Sequence, residues 1–176
     1  MAEASSSLPR LQGLAPHVAP DTRLLVLGSF PGVASLKAQQ YYGHPRNQLW
    51  RLLSDVFDLP LVDADYATRL QLLRQHRMGL WDVITETQRQ GSLDSQIREP
   101  RASDLHALLA GMPALRMIAF NGGTAARLGL IQLGEAAQRY KIFQLPSSSP
   151  AYTLAYAGKL AAWQQMAPDF FSASNQ

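Results

Sequence analysis

A short apolar run near the start of the chain limits the folds that this sequence can adopt. Residues 24–27 read Leu-Leu-Val-Leu, which has the length and the β-branched character of a buried strand. The run stops at Gly28-Ser29-Phe30-Pro31-Gly32, a rigid turn whose glycines let the backbone come close to another group. In an open α/β sheet, ligands bind at the C-terminal ends of such strands. We therefore expect the region after residue 27 to belong to a binding site.

The rest of the chain alternates between strand patterns and helix patterns. Strands are predicted over residues 23–27, 79–84, 115–120 and 140–145, and helices over 46–57, 65–77, 104–110, 124–130 and 154–167. This alternation predicts an α/β fold with three α/β/α layers around a central four-stranded parallel sheet. The right-handed crossover rule brings the C-terminal ends of all strands to one rim. We expect the loops at 28–32 with 43–47, at 121–123 and at 146–152 to meet there.

The 176 residues are predicted to form a single domain with short flanking segments. Residues 1–20 are expected to be a flexible lead-in, 21–170 the single folded domain, and 171–176 a C-terminal tail. Residues 85–101 are polar without a clear period and are interpreted as a long surface connection. Asp63 or Asp65 is expected to cap the helix at 65–77, and Ser103 the helix at 104–110.

Composition excludes several classes of site. The chain has no cysteine, so disulfides, thiolate zinc sites and cysteine nucleophiles are excluded, and its four histidines lack metal-ligand spacing. We expect no metal and no cofactor. A net charge of +3 suits a polyanionic partner without requiring one. No apolar run could span a bilayer and no hydrophobic signal core is visible, so we expect no membrane partner and a cytoplasmic location.

The predicted rim carries amides, hydroxyls and aromatic rings rather than strong acids or bases. Asn47 stands where a helix begins and Asn121 ends a buried strand, and either asparagine could simply cap a helix or form a turn. His44 could equally be a turn residue or a site residue. No serine has the spacing of a nucleophile elbow, which argues against a serine hydrolase. Several aromatic residues in predicted loops could stack on a planar ligand: Phe30, Tyr41, Tyr42 and Tyr152.

Three segments taken together resemble the uracil-DNA glycosylase superfamily. They are LLVLGSFPGVAS with the following YYGHPRNQLW, then MIAFNGGTAARLG, and finally FQLPSSSPAY. The first resembles the superfamily's water-binding loop and the helix after it, and the third resembles its closing Pro-Ser loop, which enters the minor groove. In detail the chain is most similar to the hypoxanthine-DNA glycosylase (deoxyinosine glycosylase) branch. The resemblance covers most of residues 23–165.

The resemblance implies roles for particular residues. Relatives carry an Asn or Asp in the first loop, whereas this loop has Ser29 and neither of those residues. The hypoxanthine branch implies that Asn47 and Asn121 take over catalysis, Asn47 by holding water through its carbonyl and Asn121 by donating to the base. The residues expected to bind the base are Gly28, Ser29, Phe30, Pro31, Gly32, Tyr42, His44, Trp81 and Asp82. The residues expected to bind DNA are Ser147, Ser148, Ser149, Pro150 and Tyr152, with Pro150 or Tyr152 as the wedge.

The implied reaction is hydrolysis of the bond between a deaminated base, most simply hypoxanthine, and deoxyribose. The expected partner is single- or double-stranded DNA that contains a damaged base, and a monomer is expected because each lesion is a lone target. Three alternatives remain open. The substrate could be uracil or mismatched thymine, the protein could be a DNA-binding module without activity, or it could hydrolyse free nucleosides.

Overall fold

The computed structural model describes residues 8–172, so the predictions for residues 1–7 and 173–176 lie outside the described part. Its strands are β1 (Arg10–Gln12), β2 (Leu24–Gly28), β3 (Met78–Asp82), β4 (Ile84–Gln88), β5 (Arg98–Ala102), β6 (Met117–Asn121) and β7 (Lys141–Leu145). Its α-helices are α1 (Val33–Ala38), α2 (Leu49–Phe57), α3 (Tyr66–Gln75), α4 (Leu105–Ala110), α5 (Gly123–Leu133), α6 (Tyr156–Trp163) and α7 (Ala167–Ser172).

The central sheet has four strands in the order β3-β2-β6-β7, and every neighbouring pair is parallel. This confirms the predicted four-stranded parallel sheet. Its register pairs Gly28 with Asp82 and Asn121 with Leu145. Because parallel strands share a direction, these four residues all lie at the C-terminal rim of the sheet. The sheet therefore delivers the ends of its strands to the place where the sequence predicts a site.

Helices cover both faces of this sheet, which confirms the three-layer architecture. Along β2, Leu24 and Val26 face one core, and Leu25 and Leu27 face the other, as the two-residue period of a strand requires. The first core contains residues of α2, α3, α6 and α7, and the second contains residues of α4 and α5. All five residues of β2 are buried, which explains its uninterrupted apolar sequence.

The prediction for residues 85–101 is wrong, because this segment is not a plain surface connection. Strands β4 and β5 lie within or next to it and form, together with β1, an antiparallel sheet in the order β1-β4-β5. Thr87 is fully buried in β4, while Glu86 forms ion pairs with Arg10 and Arg101 on the neighbouring strands. Polar cross-strand pairs hold this sheet together, so its sequence lacks an apolar period.

Residues 10–17 also differ from the expected lead-in. Strand β1 pairs with β4, and His17 forms an isolated bridge with Leu80 at the edge of the main sheet. The ring of His17 also contacts the carbonyl of Leu70, at 3.0 Å. These contacts tie the segment to the fold, whereas the division of the chain into lead-in, domain and tail stays a prediction.

Helix ends show where local signals were sufficient. Asp65 caps α3 as predicted, because its carboxylate accepts a hydrogen bond from the Thr68 amide. The cap of α4 is Asp104 instead of Ser103, whose hydroxyl donates to the Asp82 carbonyl at 2.5 Å. Helix α1 was not predicted.

Candidate active site

A cavity of about 510 Å³ opens at the C-terminal rim of the parallel sheet. Loops that follow β2, β6 and β7 line it, together with the loop that precedes α2. The structure thus brings together the three loop regions that the sequence predicted to meet. The cavity wall includes Gly28, Ser29, Phe30, Pro31, Gly32, Tyr42, His44, Asn47, Asp82, Asn121, Ser147, Ser148, Ser149, Pro150 and Tyr152.

Asn121 is held rigidly at the base of this cavity. Its side-chain oxygen accepts a hydrogen bond from the backbone amide of Ser148, and its Nδ2 donates to the Ser148 hydroxyl, both at 2.8 Å. Because a backbone N–H can only donate, this pair fixes which end of the carboxamide is oxygen. One N–H of Asn121 Nδ2 is therefore committed to Ser148, and the other can serve either the neighbouring Tyr42 hydroxyl or a ligand.

Asn47 reaches the same serine from a different crossover unit. The Ser148 hydroxyl donates to Asn47 Oδ1 at 2.8 Å, and the Leu49 amide donates to the same oxygen at 3.0 Å. A directed chain of hydrogen bonds therefore runs from Asn121 through Ser148 to Asn47. Both lone pairs of Asn47 Oδ1 are in use, so the groups that this side chain can offer to a ligand are its N–H donors.

A second set of polar groups lies above Gly28. A Cβ atom at this glycine would stand 2.5 Å from Asp82 Oδ1 and 3.1 Å from the Tyr42 hydroxyl, so both groups border one small space. Asp82 Oδ2 and the Tyr42 hydroxyl are buried and have no hydrogen-bond partner among residues 8–172. Buried polar atoms without a partner are rare, and here they face a ligand-sized cavity. The glycine is required because any side chain would fill this space.

Burial changes the ionisation of both groups. It raises the pKa of Asp82 to about 7; the nearby Asp94 carboxylate acts in the same direction, and the Arg89 guanidinium opposes it. Burial also raises the pKa of Tyr42 above its usual range, helped by Asp82, while the side chain of Asn121 acts the other way. The tyrosine therefore stays neutral at physiological pH, and Asp82 can exchange a proton there.

Comparison with known proteins identifies the family. The uracil DNA glycosylase superfamily model matches residues 15–176. The chain is 33% identical over 154 residues to a hypoxanthine DNA glycosylase of Methanosarcina barkeri, covering 88% of this chain and 96% of that one. It is 37% identical over 144 residues to the enzyme of the same name from Methanosarcina acetivorans, covering 82% and 89%. The chain belongs to the uracil DNA glycosylase superfamily.

A solved structure agrees with this assignment. The solution NMR structure of a candidate uracil DNA glycosylase from Methanosarcina acetivorans superposes with a TM-score of 0.81 at 33% identity. The match covers 93% of this chain and 99% of that one, so the whole fold is shared rather than the central sheet alone. The resemblance stated from the sequence is confirmed at the level of the superfamily and of its hypoxanthine-type relatives.

Of the residues predicted to bind the base, Trp81 lies outside the cavity wall, whereas His44 lies within it. Trp81 is not part of the cavity wall, and its indole nitrogen donates to the Leu14 carbonyl at 3.2 Å. His44 does line the cavity, and its Nδ1 accepts a hydrogen bond from the Arg46 amide at 3.1 Å. Successive side chains of a strand point to opposite faces, so Asp82 of β3 lines the cavity whereas its neighbour Trp81 does not.

The sequence analysis missed one wall of the cavity, which comes from the segment between β4 and β5. Ser92 Oγ accepts from the Val33 amide at 2.9 Å, and Asp94 accepts from the Ser29 hydroxyl at 2.7 Å. Arg89 is buried beneath, and its guanidinium donates to the carbonyls of Pro31 and Gly91. The only local signal was the group of β-branched residues Ile84, Thr85 and Thr87, which is typical of a strand.

Cations surround the other side of the site. A second, more open cavity of about 870 Å³ shares Tyr42, His44, Asn47, Pro150 and Tyr152 with the first. Its wall also contains the basic residues Arg46, Arg51, Arg69 and Lys159. Lys159 is 1% exposed, and its ammonium group donates to the Ser149 carbonyl at 3.1 Å. This buried cation supports the loop that carries Ser148.

Two further observations limit the kinds of site. Within the described residues, no group of three or more potential metal ligands lies together. Over the same range, none of the helices combines the length and the apolarity needed to cross a membrane.

Proposed function

We propose that this protein is a monofunctional DNA glycosylase that removes hypoxanthine from DNA. The observation that carries the proposal is the convergence of Asn47 and Asn121 on Ser148 in a cavity of about 510 Å³. Membership of the superfamily and two relatives named hypoxanthine DNA glycosylase support the reaction and the base. The bond broken joins the base to deoxyribose, and water supplies the hydroxyl group.

The target base leaves the helix before it reacts, because the glycosidic bond of a stacked nucleotide is out of reach. Flipping costs a few kcal/mol, and it costs least where the base is damaged or badly paired. Hypoxanthine is a deaminated adenine that no longer pairs well with thymine, so the flipping step itself favours it. Phe30 and Tyr42 line the cavity and offer ring faces against which the planar base can pack.

The asparagines act through their N–H groups. As the bond breaks, negative charge develops on the base, and a donor fixed in a dry site stabilises that charge. Asn121 has a second N–H of Nδ2 that can serve this role, and its other bonds to Ser148 hold the donor in place. Asn47 Oδ1 already accepts two hydrogen bonds, so a water on this oxygen would have to replace the Ser148 hydroxyl as donor.

DNA is the partner that the family implies, and the charges around the cavity suit it. Arg46, Arg51 and Arg69 line the adjoining groove, where they can neutralise phosphates. The loop from Ser147 to Tyr152 forms one lip of the cavity, and Tyr152 is 49% exposed at its end. We assign Tyr152 as the wedge that fills the space left in the helix. A monomer acting on a lesion in single- or double-stranded DNA is sufficient for this chemistry.

The test is a panel of oligonucleotides that each carry one hypoxanthine, uracil, xanthine or mismatched thymine. Alkali cleaves the strand wherever a base has been removed, and single-turnover rates rank the substrates. Fastest cleavage at hypoxanthine supports the proposal, whereas faster cleavage at uracil or thymine assigns the mismatch-type activity. DNA binding without scission on any strand identifies a non-catalytic module, and activity on free nucleosides alone identifies a nucleosidase.

A further inference from the structure

Asp82 is a buried acid inside the cavity whose role the two asparagines do not explain. It is 5% exposed, its Oδ2 has no hydrogen-bond partner among residues 8–172, and its Oδ1 lies against the space above Gly28. A buried carboxyl group without partners is unfavourable for folding. Its position at the end of β3, beside Gly28 at the rim, places it next to any base that enters.

We propose that Asp82 is the general acid of the reaction and donates its proton to a ring nitrogen of the departing purine. This inference rests on the proposed function and adds to it a proton donor that the asparagines cannot provide, since a carboxamide gives up no proton at neutral pH. A neutral carboxylic acid also combines one O–H donor with an acceptor oxygen.

The chemistry of the base explains why a purine benefits. Hypoxanthine attached through N9 has free lone pairs at the ring nitrogens N3 and N7, whereas uracil attached through N1 has none on its ring. The bond between C1′ and N9 breaks, its electron pair moves to the base, and the Asp82 proton neutralises that charge at N3 or N7. Water then bonds to C1′, and the proton that it releases returns through solvent to the Asp82 carboxylate.

The groups that face Asp82 set its proton affinity. Asp94 and Arg89 approach from the segment between β4 and β5, and Tyr41 and Tyr42 lie close on the loop before α2, while His44 lines the same cavity. Burial and Asp94 raise the pKa of Asp82 to about 7, and Arg89 limits the rise. A general acid is most effective when its pKa is near the working pH.

The test follows single-turnover cleavage of an oligonucleotide with one hypoxanthine from about pH 5 to about pH 9. We expect the wild-type rate to fall as the pH rises through the pKa of Asp82. Asp82→Asn keeps the size of the side chain but cannot transfer a proton, so it should be about 100-fold slower below pH 7 and lose this dependence. An Asn variant with the wild-type rate and profile overturns the inference.

A substrate series locates the acceptor. One of 7-deazahypoxanthine and 3-deazahypoxanthine should be cleaved slowly by the wild-type protein and no more slowly by Asp82→Asn, because both changes remove the same proton transfer. Equal further loss in the Asn variant on both analogues contradicts the assignment. Asp94→Asn removes a charge that raises the pKa of Asp82. In this variant, the fall of the cleavage rate with rising pH should therefore begin at lower pH.

Carboxyl NMR with ¹³C-labelled aspartate measures the titration of each aspartate in the wild-type protein. It therefore does not depend on whether a variant folds. One carboxyl group titrating near pH 7 supports the inference, and a protein whose aspartates all titrate in the normal acidic range overturns it. If the wild-type protein cleaves none of the oligonucleotides, both the proposed function and this inference are refuted. If the wild-type protein is active and Asp82→Asn has the same rate and pH profile, only this inference is refuted.

Discussion

The side chain of Asn121 and Ser148 exchange two hydrogen bonds, each 2.8 Å long, across the rim of the parallel sheet. The two residues are 27 positions apart in the chain: Asn121 ends strand β6, and Ser148 lies on the loop after the neighbouring strand β7. The Ser148 hydroxyl in turn donates a hydrogen bond to Oδ1 of Asn47, which is 101 positions away in the chain. One buried hydroxyl therefore orients both carboxamides of the proposed active site.

Ser148→Ala should lower the cleavage rate by roughly 10- to 100-fold, because both asparagines lose the group that orients them. The folded protein should also lose about 1–3 kcal/mol, since Asn121 Nδ2 and Asn47 Oδ1 each lose a partner. Single-turnover rates and urea unfolding measure the two effects. Ser147→Ala removes a hydroxyl from the same loop without contacting either asparagine and should lose less of both, so equal losses would contradict the bridging role.

Asn47→Ala and Asn121→Ala should each reduce the rate by about 100- to 1000-fold, the usual effect of removing a donor that acts on the transition state. The side chains act through one chain of hydrogen bonds, so the double variant should lose less than the product of the two single losses. Rates from the oligonucleotide assay and thermal unfolding curves separate catalysis from folding. Near-normal cleavage by both single variants would refute the proposed roles.

Gly28→Ala should impair both folding and activity. The new methyl group would lie 2.5 Å from Asp82 Oδ1, so Asp82 or the strand must move, and overpacking of this kind typically costs about 1–3 kcal/mol. Gly123→Ala is the matched control, because a Cβ built there would meet no heavy atom of the described residues within 4 Å apart from its chain neighbours and the backbone of its own helix. Urea unfolding of the two variants checks the difference, and equal stability of both would show that the space above Gly28 is not needed.

Arg89→Gln should destabilise the wall of the cavity and reduce activity. The buried guanidinium donates to the carbonyls of Pro31 and Gly91 and lies 5.2 Å from the centre of the Phe30 ring. Loss of hydrogen bonds to a charged group costs about 1.5–3 kcal/mol each. Arg101→Gln is the control, since that exposed arginine makes a surface ion pair that solvent screens. Comparable unfolding free energies for the two variants would argue against this positioning role.

The contribution of Asp82 to the stability of the protein should fall as the pH rises from about 4 to about 7. The pKa of Asp82 rises from 3.8 to about 7 on folding, so between these values the folded state binds more protons than the unfolded state. The contribution of Asp82 is complete below about pH 4 and is lost by about pH 7, with a slope of at most about 1.4 kcal/mol per pH unit. Urea unfolding across this window should show the slope in the wild-type protein and a smaller one in Asp82→Asn.

The parallel sheet and part of the site could be predicted because their signals are local. Leu24 to Leu27 are buried on both faces, so every residue of the strand is apolar and the pattern needs no knowledge of its neighbours. Asn121 ends a strand and Asn47 lies in a loop at the same rim, and the crossover rule predicts that these regions meet. Asp65 was recognisable as a cap because the bond to Thr68 spans only three residues.

The antiparallel sheet and the wall that Arg89 supports could not be predicted in this way. The residues of β5 are all exposed, and β4 is held through polar partners on β1 and β5 that are distant in the sequence. Burial of Arg89 depends on two carbonyl groups that reach it from separate loops. A polar strand has no period of its own that reveals its partner.

The sequence by itself therefore determined the fold class, the family and the two carboxamides, because each is encoded by a run of neighbouring residues. Tertiary structure decided that Ser148 joins the carboxamides, that Asp82 lines the cavity whereas Trp81 does not, and that burial raises the pKa of Asp82 to about 7. Ionisation and orientation depend on which groups surround a side chain in space, and those groups come from segments that only folding brings together.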